Sequence, residues 1–95
     1  MIRWSKLASS QFKAIHDYIA ADSLSAARKQ GSLILQAIDR LDAFSLSGRI
    51  GTSADKRELV IPNTPYIVYY RLQDDVIFLR SIRHAAREKP TRFRK

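Results

Sequence analysis

The sequence predicts an α+β fold: an N-terminal strand, an antiparallel helical hairpin and a three-stranded antiparallel meander, in the order β-α-α-β-β-β. Two observations predict it. Apolar residues recur at helical spacing from residue 6 to about residue 41, and from residue 57 onward they form short runs rich in β-branched and aromatic side chains. This order places both helices on one face of a small sheet. The length of 95 residues predicts a single domain over 1–95, with a basic C-terminal tail at about 85–95.

The first two elements are a short strand and a helix. Residues 2–5 alternate apolar and polar side chains, which is typical of a strand. A helix is predicted over 6–21, and Ser5 or Ser9 can cap its start. Its apolar face consists of Ala8, Phe12, Ile15 and Ile19.

The second helix begins after Asp22 and Ser23, which are both favourable N-cap residues. Its apolar stripe consists of Ala27, Gly31, Ile34, Ile38 and Leu41. Leu33, Ala37 and Phe44 lie off this stripe. We therefore expect them to form an exposed apolar strip that binds an amphipathic helix of a partner.

Three strands are predicted at 57–61, 66–72 and 76–83, after a Ser- and Gly-rich loop at 45–56. Residues 62–65 form one turn, and Asp74 with Asp75 forms a tight turn between the last two strands. In the strand at 66–72, Tyr66 and Tyr70 share one face and Tyr69 lies on the other. Strict alternation in the last strand places Ile82 on the face of Val76, Phe78 and Arg80, and the opposite face then carries Ile77, Leu79, Ser81 and Arg83.

The charge is concentrated near the C-terminus. The chain has 17 Lys and Arg against 9 Asp and Glu, a net charge of +8, and residues 80–95 contribute +6 of it. Such a segment attracts a polyanion, either nucleic acid or an acidic protein segment. The chain has no cysteine and two histidines, which argues against a disulfide framework, a thiol nucleophile and a zinc centre. With no signal peptide or membrane span in the sequence, we expect a soluble, cytoplasmic protein with no metal and no cofactor.

Several stretches resemble the RelE/ParE toxin superfamily, and the ParE branch most closely. Residues 57–61 (RELVI) and 65–71 (PYIVYYR) are similar to its second and third strands, and residues 79–90 (LRSIRHAAREKP) to its final strand and basic ending. Residues 15–22 with Ala26 and Ala27 resemble the junction between its helices, and residues 47–49 (SGR) its glycine-arginine loop. The resemblance covers nearly the whole chain, in order.

This resemblance implies the toxin of a type II toxin–antitoxin module. Its partner would be a ParD-like antitoxin whose acidic, amphipathic C-terminal segment wraps the toxin. ParE-type members of the superfamily poison DNA gyrase, whereas RelE-type members cut messenger RNA on the ribosome. Both mechanisms are alternatives for this chain.

Metal-free RNA cleavage needs a base, an acid and cations that stabilise the phosphate. The residues available for it are Arg57, Arg71, Arg80, Arg83 and His84. The arginine that messenger-cleaving relatives carry after the aromatic residue of the third strand is Ile67 here, and Glu58 is expected to pair with Arg57 or Arg71. The sequence therefore favours a binding toxin without catalysis. Its contacts with target and antitoxin are predicted at Arg49, Arg80, Arg83, His84 and Arg87, together with the strip Leu33, Ala37 and Phe44.

A third hypothesis is a nucleic-acid-binding module without toxicity. Its basic tail would bind phosphates, and Tyr66, Tyr69 or Tyr70 would stack on bases. Because helices cover one face of the predicted sheet, at least one of these tyrosines is expected in the core. This class predicts salt-dependent binding to nucleic acid alone, whereas a toxin predicts growth arrest.

Overall fold

The computed structural model describes residues 1–53 and 55–86, which form two helices and a five-stranded sheet. The predicted α+β class is confirmed. In chain order the elements are β1 (Ile2–Trp4), α1 (Lys6–Ala20), α2 (Leu24–Arg40), β2 (Arg49–Ser53), β3 (Lys56–Val60), β4 (Tyr66–Gln73) and β5 (Val76–His84). The two helices and the last three strands agree with the predicted elements to within one residue at each end.

Both helices begin at serine caps. The Ser5 hydroxyl accepts a hydrogen bond from Ala8 N–H at 2.9 Å, and the Ser23 hydroxyl accepts one from Ala26 N–H at 3.1 Å. Each cap satisfies an amide that has no partner within the first turn of its helix. Neither helix of the described chain is both long and apolar enough to cross a membrane.

The strands lie in the order β1-β5-β4-β3-β2. β1 is parallel to β5, and β2 to β5 form an antiparallel meander. Asp74 and Asp75 make the predicted tight turn, with φ values of 51° and 65°. Two successive positive φ angles are the conformation that a type I′ hairpin turn requires.

The meander has four strands rather than three, because the predicted loop at 45–56 contains β2. Arg49 and Ile50 pair with Glu58 and Arg57, and the register shifts between Ile50 and Ser53. β2 is an irregular edge strand that pairs on one side only. Its sequence lacks the alternation of apolar residues by which the other strands were predicted. Its pairing comes from backbone contact with β3, which leaves no mark in the side-chain sequence.

The helices cover one side of the sheet, which we call the helix face. The core lies there, between residues of α1 and α2 and the inward side chains of the strands. Tyr66 and Tyr70 are both buried in this core, as their shared face predicts. Ala37 is also buried, so the expected exposed strip of Leu33, Ala37 and Phe44 does not form. Ala37 follows Ile34 by three residues and precedes Leu41 by four, which places all three on one helical face.

β5 contains one extra residue, and this changes the predicted faces of its second half. Tyr69 pairs with Ser81 and Tyr70 with Leu79, so that Arg80 has no partner position on β4. Ile82 therefore lies on the helix face with Ile77 and Leu79, and not beside Arg80 as strict alternation predicts. A bulge of this kind shifts every later side chain to the opposite face.

Candidate functional site

The side of the sheet that the helices leave uncovered, which we call the open face, carries a concave cationic groove. Its volume is about 1010 Å³. Five basic residues are among the described residues that line it: Arg3, Lys56, Arg71, Arg80 and Arg83. No acidic residue is among the described lining residues. The described lining therefore carries an excess of positive charge, with the Asp55 carboxyl interacting electrostatically with Lys56 and Arg71 from outside that lining.

Strand pairing organises the groove into rows that run across the sheet. The first row joins β1, β5, β4 and β3 through Arg3, Phe78, Arg71 and Lys56. Within it the Arg71 guanidinium carbon lies 5.2 Å from the centre of the Phe78 ring. This distance is in the range of a cation–π contact, so the ring holds the guanidinium above the sheet.

The second row contains Ser81, Tyr69, Glu58 and Arg49. Two nitrogens of Arg49, Nε and Nη2, lie 3.2 Å from Oε1 of Glu58. Glu58 was expected to pair with Arg57 or Arg71, and the pair with Arg49 forms because β2 places Arg49 directly opposite it. Arg49, one of the predicted contact residues, is therefore engaged in an ion pair at the margin of the groove.

Arg80 lies in the groove because side chains at the start of α1 hold the bulge in β5 by hydrogen bonds to its backbone. The Ser5 hydroxyl donates a hydrogen bond to the Arg80 carbonyl at 3.0 Å, while it also caps α1. Two residues further along β5, the Ile82 N–H donates to Oε1 of Gln11 at 2.7 Å. β1 ends at Trp4, so these side chains supply the partners that a longer β1 would offer.

Ser5→Ala is expected to lower the free energy of unfolding more than Ser23→Ala does. Loss of a serine N-cap costs about 1 kcal/mol, and Ser5 loses a second hydrogen bond worth roughly 1 kcal/mol. Urea denaturation of the two variants should therefore give losses of about 2 and about 1 kcal/mol. Equal losses would contradict a role for Ser5 in holding the bulge.

Arg57 does not belong to the groove. Its side chain lies on the helix face, where Nη1 donates to the Gly48 carbonyl at 2.9 Å and to the Leu46 carbonyl at 3.4 Å. Its Nε is buried, and no hydrogen-bond partner for it is found in the described chain. The guanidinium holds the loop before β2, so the structure does not bring Arg57 together with Arg71 and Arg80 in the groove.

His84 also lies on the helix face. Its ring packs edge-on against Tyr66 with 5.4 Å between ring centres, and its Nδ1 accepts a hydrogen bond from Ala86 N–H at 3.2 Å. A small pocket between α1 and the end of β5 is lined by His84, Tyr66 and Tyr18. Because Tyr66 is a core residue, the His84 ring is turned away from Arg71 and Arg80.

The five candidate residues for RNA cleavage are thus divided by the sheet. Arg71 and Arg80 lie on the open face, Arg57 and His84 lie on the other side, and Arg83 lines both the groove and the small pocket that contains His84. Sequence reasoning did not identify Arg3, Lys56 or Phe78 as members of the groove, and it named Tyr69 only as a candidate for stacking on bases. Only the pairing register brings Arg3, Lys56 and Phe78 together, since they are 22 or more residues apart in sequence.

The other predicted contact residues are scattered. Leu33 is partly buried in α2, and Phe44 is 64% exposed in the turn after that helix. Arg87 and the rest of the predicted tail lie outside the described residues. The groove, rather than an apolar strip, is the coherent surface of this part of the chain.

Known proteins are similar to this chain in sequence, and one solved structure is similar to it in fold. A family model described as "ParE toxin of type II toxin-antitoxin system, parDE" matches residues 2–89. The chain is 37% identical over 89 residues to "Putative toxin Y4kP" of Sinorhizobium fredii, covering 94% of this chain and 92% of that one. It is 33% identical over 84 residues to "Toxin RelE2" of Caulobacter vibrioides, covering 88% of this chain and 93% of that protein.

A solved structure has the same fold. It is titled "Chromosomal ParDE TA system from P. aeruginosa", and one of its chains superposes with a TM-score of 0.75 at 22% identity, covering 87% of this chain and 92% of that one. The family match extends over nearly the whole sequence and includes every strand and helix described above. The chain belongs to the ParE toxin family of type II toxin–antitoxin systems.

Proposed function

We propose that this chain arrests bacterial growth by binding DNA gyrase in the cytoplasm, and that a ParD-type antitoxin neutralises it. The observation that carries the proposal is the division of the catalytic candidates by the sheet. The groove gathers cations, while His84 and Arg57 lie on the helix face. A protein with this arrangement acts by surface complementarity.

The chemistry of the groove supports a binding role. Arginine stays protonated in proteins and does not serve as a general base. Glu58, which lies in the second row beside the groove, is only 17% exposed, and its Oε1 is occupied by the ion pair with Arg49. This carboxylate is therefore engaged in a contact within the sheet. Phosphate or carboxylate groups of a macromolecule, by contrast, fit a row of guanidinium groups well.

An acidic antitoxin segment is the partner that the charge favours. The open face carries Arg71, Arg80 and Arg83 in one groove, and carboxylates form bidentate contacts with arginine. The structural neighbour from Pseudomonas aeruginosa comes from a ParDE system, which supports an antitoxin of the ParD type. We propose that this segment occupies the groove and excludes the target.

A ribosome-dependent messenger endonuclease is the second candidate. It is favoured by the three arginines on one face and by the relative called toxin RelE2. It would need His84 to act from the far side of the sheet, or another residue to act as acid and base. The first candidate would leave gyrase trapped on cleaved DNA, whereas the second would leave cut messenger RNA.

Inducible expression in a bacterial host tests the proposal with two readouts. We expect growth arrest with gyrase trapped on cleaved DNA, no cut messenger on ribosomes, and relief when the antitoxin gene is co-expressed. Messenger cleavage that disappears in His84→Ala would establish the endonuclease instead. Expression without growth arrest would refute the toxin proposal itself.

A further inference from the structure

The small pocket between α1 and the end of β5 is separate from the groove, and we call it the α1–β5 pocket. Its volume is about 340 Å³, which lies at the lower end of the range for small-molecule sites. Among the described lining residues, Arg83 is the only one that this pocket shares with the groove. Aromatic and apolar side chains form most of the wall, and the polar side chains that line it are Gln11, Arg83 and His84.

Hydrogen bonds to the backbone fix two of these polar side chains as donors. Gln11 Oε1 accepts from the Ile82 N–H at 2.7 Å, which leaves the Nε2 amide group to donate. His84 Nδ1 accepts from the Ala86 N–H at 3.2 Å, so Nε2 carries the proton of the neutral ring. The guanidinium of Arg83 is a donor only. The three side chains therefore present donors to a ligand.

The charge of the pocket agrees with this donor set. None of the described residues that line it is acidic, and Arg83 is permanently positive. The single carboxylate of α1, Asp17, lies outside the lining, and its Oδ2 is 2.8 Å from Nζ of Lys13. A carboxylate accepts several hydrogen bonds at once and gains further from a nearby cation, so it is the ligand group that these donors fit best.

The rest of the wall suits a flat apolar body. Tyr66 is only 8% exposed and packs edge-on against His84, with 5.4 Å between ring centres, so it provides a fixed aromatic surface. Ile15 and Ile82 add aliphatic surface. Tyr18 lines the same pocket but is 74% exposed, and a ring that enters would cover part of it.

We propose that the α1–β5 pocket binds a small aromatic carboxylate, with its ring against Tyr18 and Tyr66 and its carboxylate on Gln11 and His84. In a protein segment, the ring and the carboxylate belong to different side chains, whereas a pocket of about 340 Å³ needs both in one compact group. This binding requires neither gyrase nor antitoxin, so it goes beyond the function proposed above.

Two-dimensional ¹H–¹⁵N NMR of the full-length chain, titrated with 2-naphthoate, tests the proposal. We expect saturable shifts of the backbone amides of Gln11, Ile82 and His84, with an affinity in the micromolar to millimolar range. 2-Naphthamide keeps the ring system and loses the charge, and we expect it to bind about tenfold more weakly. Acetate keeps the charge and loses the rings, and it should be weaker by at least about tenfold.

Gln11→Glu tests the donor set while keeping the contact within the fold. The glutamate retains Oε1 as the acceptor for the Ile82 N–H and replaces the donating amide by a charged oxygen. We expect 2-naphthoate to bind more than about tenfold more weakly and 2-naphthamide to change by less than about threefold. Gln36→Glu, the matched control, makes the same change on the exposed surface of α2 and should leave both affinities within about twofold.

Tyr18→Ala tests the aromatic contact. Because Tyr18 is largely exposed, its removal spares the core and every donor of the pocket. We expect 2-naphthoate and 2-naphthamide to lose affinity together, by about fivefold.

Several outcomes would overturn the proposal. Absence of shifts at the three amides, or equal affinity for 2-naphthoate and 2-naphthamide, would refute a carboxylate site. Binding that is lost in Arg71→Ala and kept in Gln11→Glu would place the carboxylate in the groove. A peptide with phenylalanine between glutamates that binds more tightly than 2-naphthoate, and that Gln11→Glu weakens, would identify a protein segment as the occupant. If circular dichroism finds Gln11→Glu unfolded, Tyr18→Ala decides, and an unchanged affinity there would refute the proposal.

Discussion

Gly48→Ala is expected to lower the free energy of unfolding by about 3 kcal/mol, the largest stability effect we expect from one added methyl group. A Cβ at this position would lie 2.5 Å from the Tyr70 hydroxyl oxygen and 2.7 Å from a ring carbon. Tyr70 is fully buried in the core and has no room to retreat. The loop must move instead, and it takes its hydrogen bonds with it.

Those hydrogen bonds all converge on the segment before β2. The Tyr70 hydroxyl accepts from Gly48 N–H at 2.9 Å and donates to the Ser45 carbonyl at 2.8 Å, and Arg57 donates to the Gly48 carbonyl. Burial raises the pKa of the Tyr70 hydroxyl, which keeps it in the neutral form that is able to donate. Displacement of the loop thus leaves several buried polar groups without partners, at about 1–3 kcal/mol each.

A double-mutant cycle with Tyr70→Phe, followed by urea denaturation, checks this explanation. Tyr70→Phe alone removes the hydroxyl and should cost about 2 kcal/mol. The same change relieves the closest contact of the new Cβ, so the double variant should lose clearly less than the sum. Gly31→Ala is the matched control, since its Cβ would lie at an ordinary 3.6 Å from Phe12 and the helix should gain up to about 1 kcal/mol. Strict additivity would contradict the contact.

The elements that could be predicted are those whose conformation is determined by their own side chains and by their neighbours in sequence. Ser5 and Ser23 mark the helix starts by their own hydroxyl groups, and Asp74 with Asp75 marks a turn by residue type. The burial of Tyr66 and Tyr70 follows from alternation along β4. These are local signals, in which a residue's chemistry and its neighbours in sequence decide its conformation.

The parts that could not be predicted depend on pairing between distant segments. β2 forms because its backbone meets β3, and the bulge at Arg80 is held by Ser5, 75 residues earlier in the chain. The bulge in turn decides that Ile82 is buried. For the same reason the sequence identified Arg71 and Arg80 as candidates but grouped them with Arg57 and His84, which the sheet separates from them, while Arg83 lines both the groove and the pocket of His84.

Arg80→Glu is expected to abolish growth arrest and to weaken antitoxin binding by about 10- to 100-fold. Both effects follow from the proposal that target and antitoxin use the same groove. Arg80 is exposed and lines the groove together with Arg71 and Arg83. A glutamate there would repel an acidic segment and remove a contact at once. Arg28→Glu makes the same change of charge on α2, away from the groove, and should preserve both activities.

A single surface for both partners predicts that antitoxin and gyrase compete for the toxin. A general effect of lost charge would not predict this competition. If one surface serves both partners, adding antitoxin must displace gyrase from the wild-type toxin, and no ternary complex should elute from a gel-filtration column. Affinities measured by calorimetry should fall together in Arg80→Glu, because both partners lose the same contact. A stable ternary complex, or a variant that keeps full antitoxin affinity while losing toxicity, would assign the two partners to different surfaces. The groove would then belong to one partner, and the toxin would need a second site outside the groove in which the bulge and Ser5 hold Arg80.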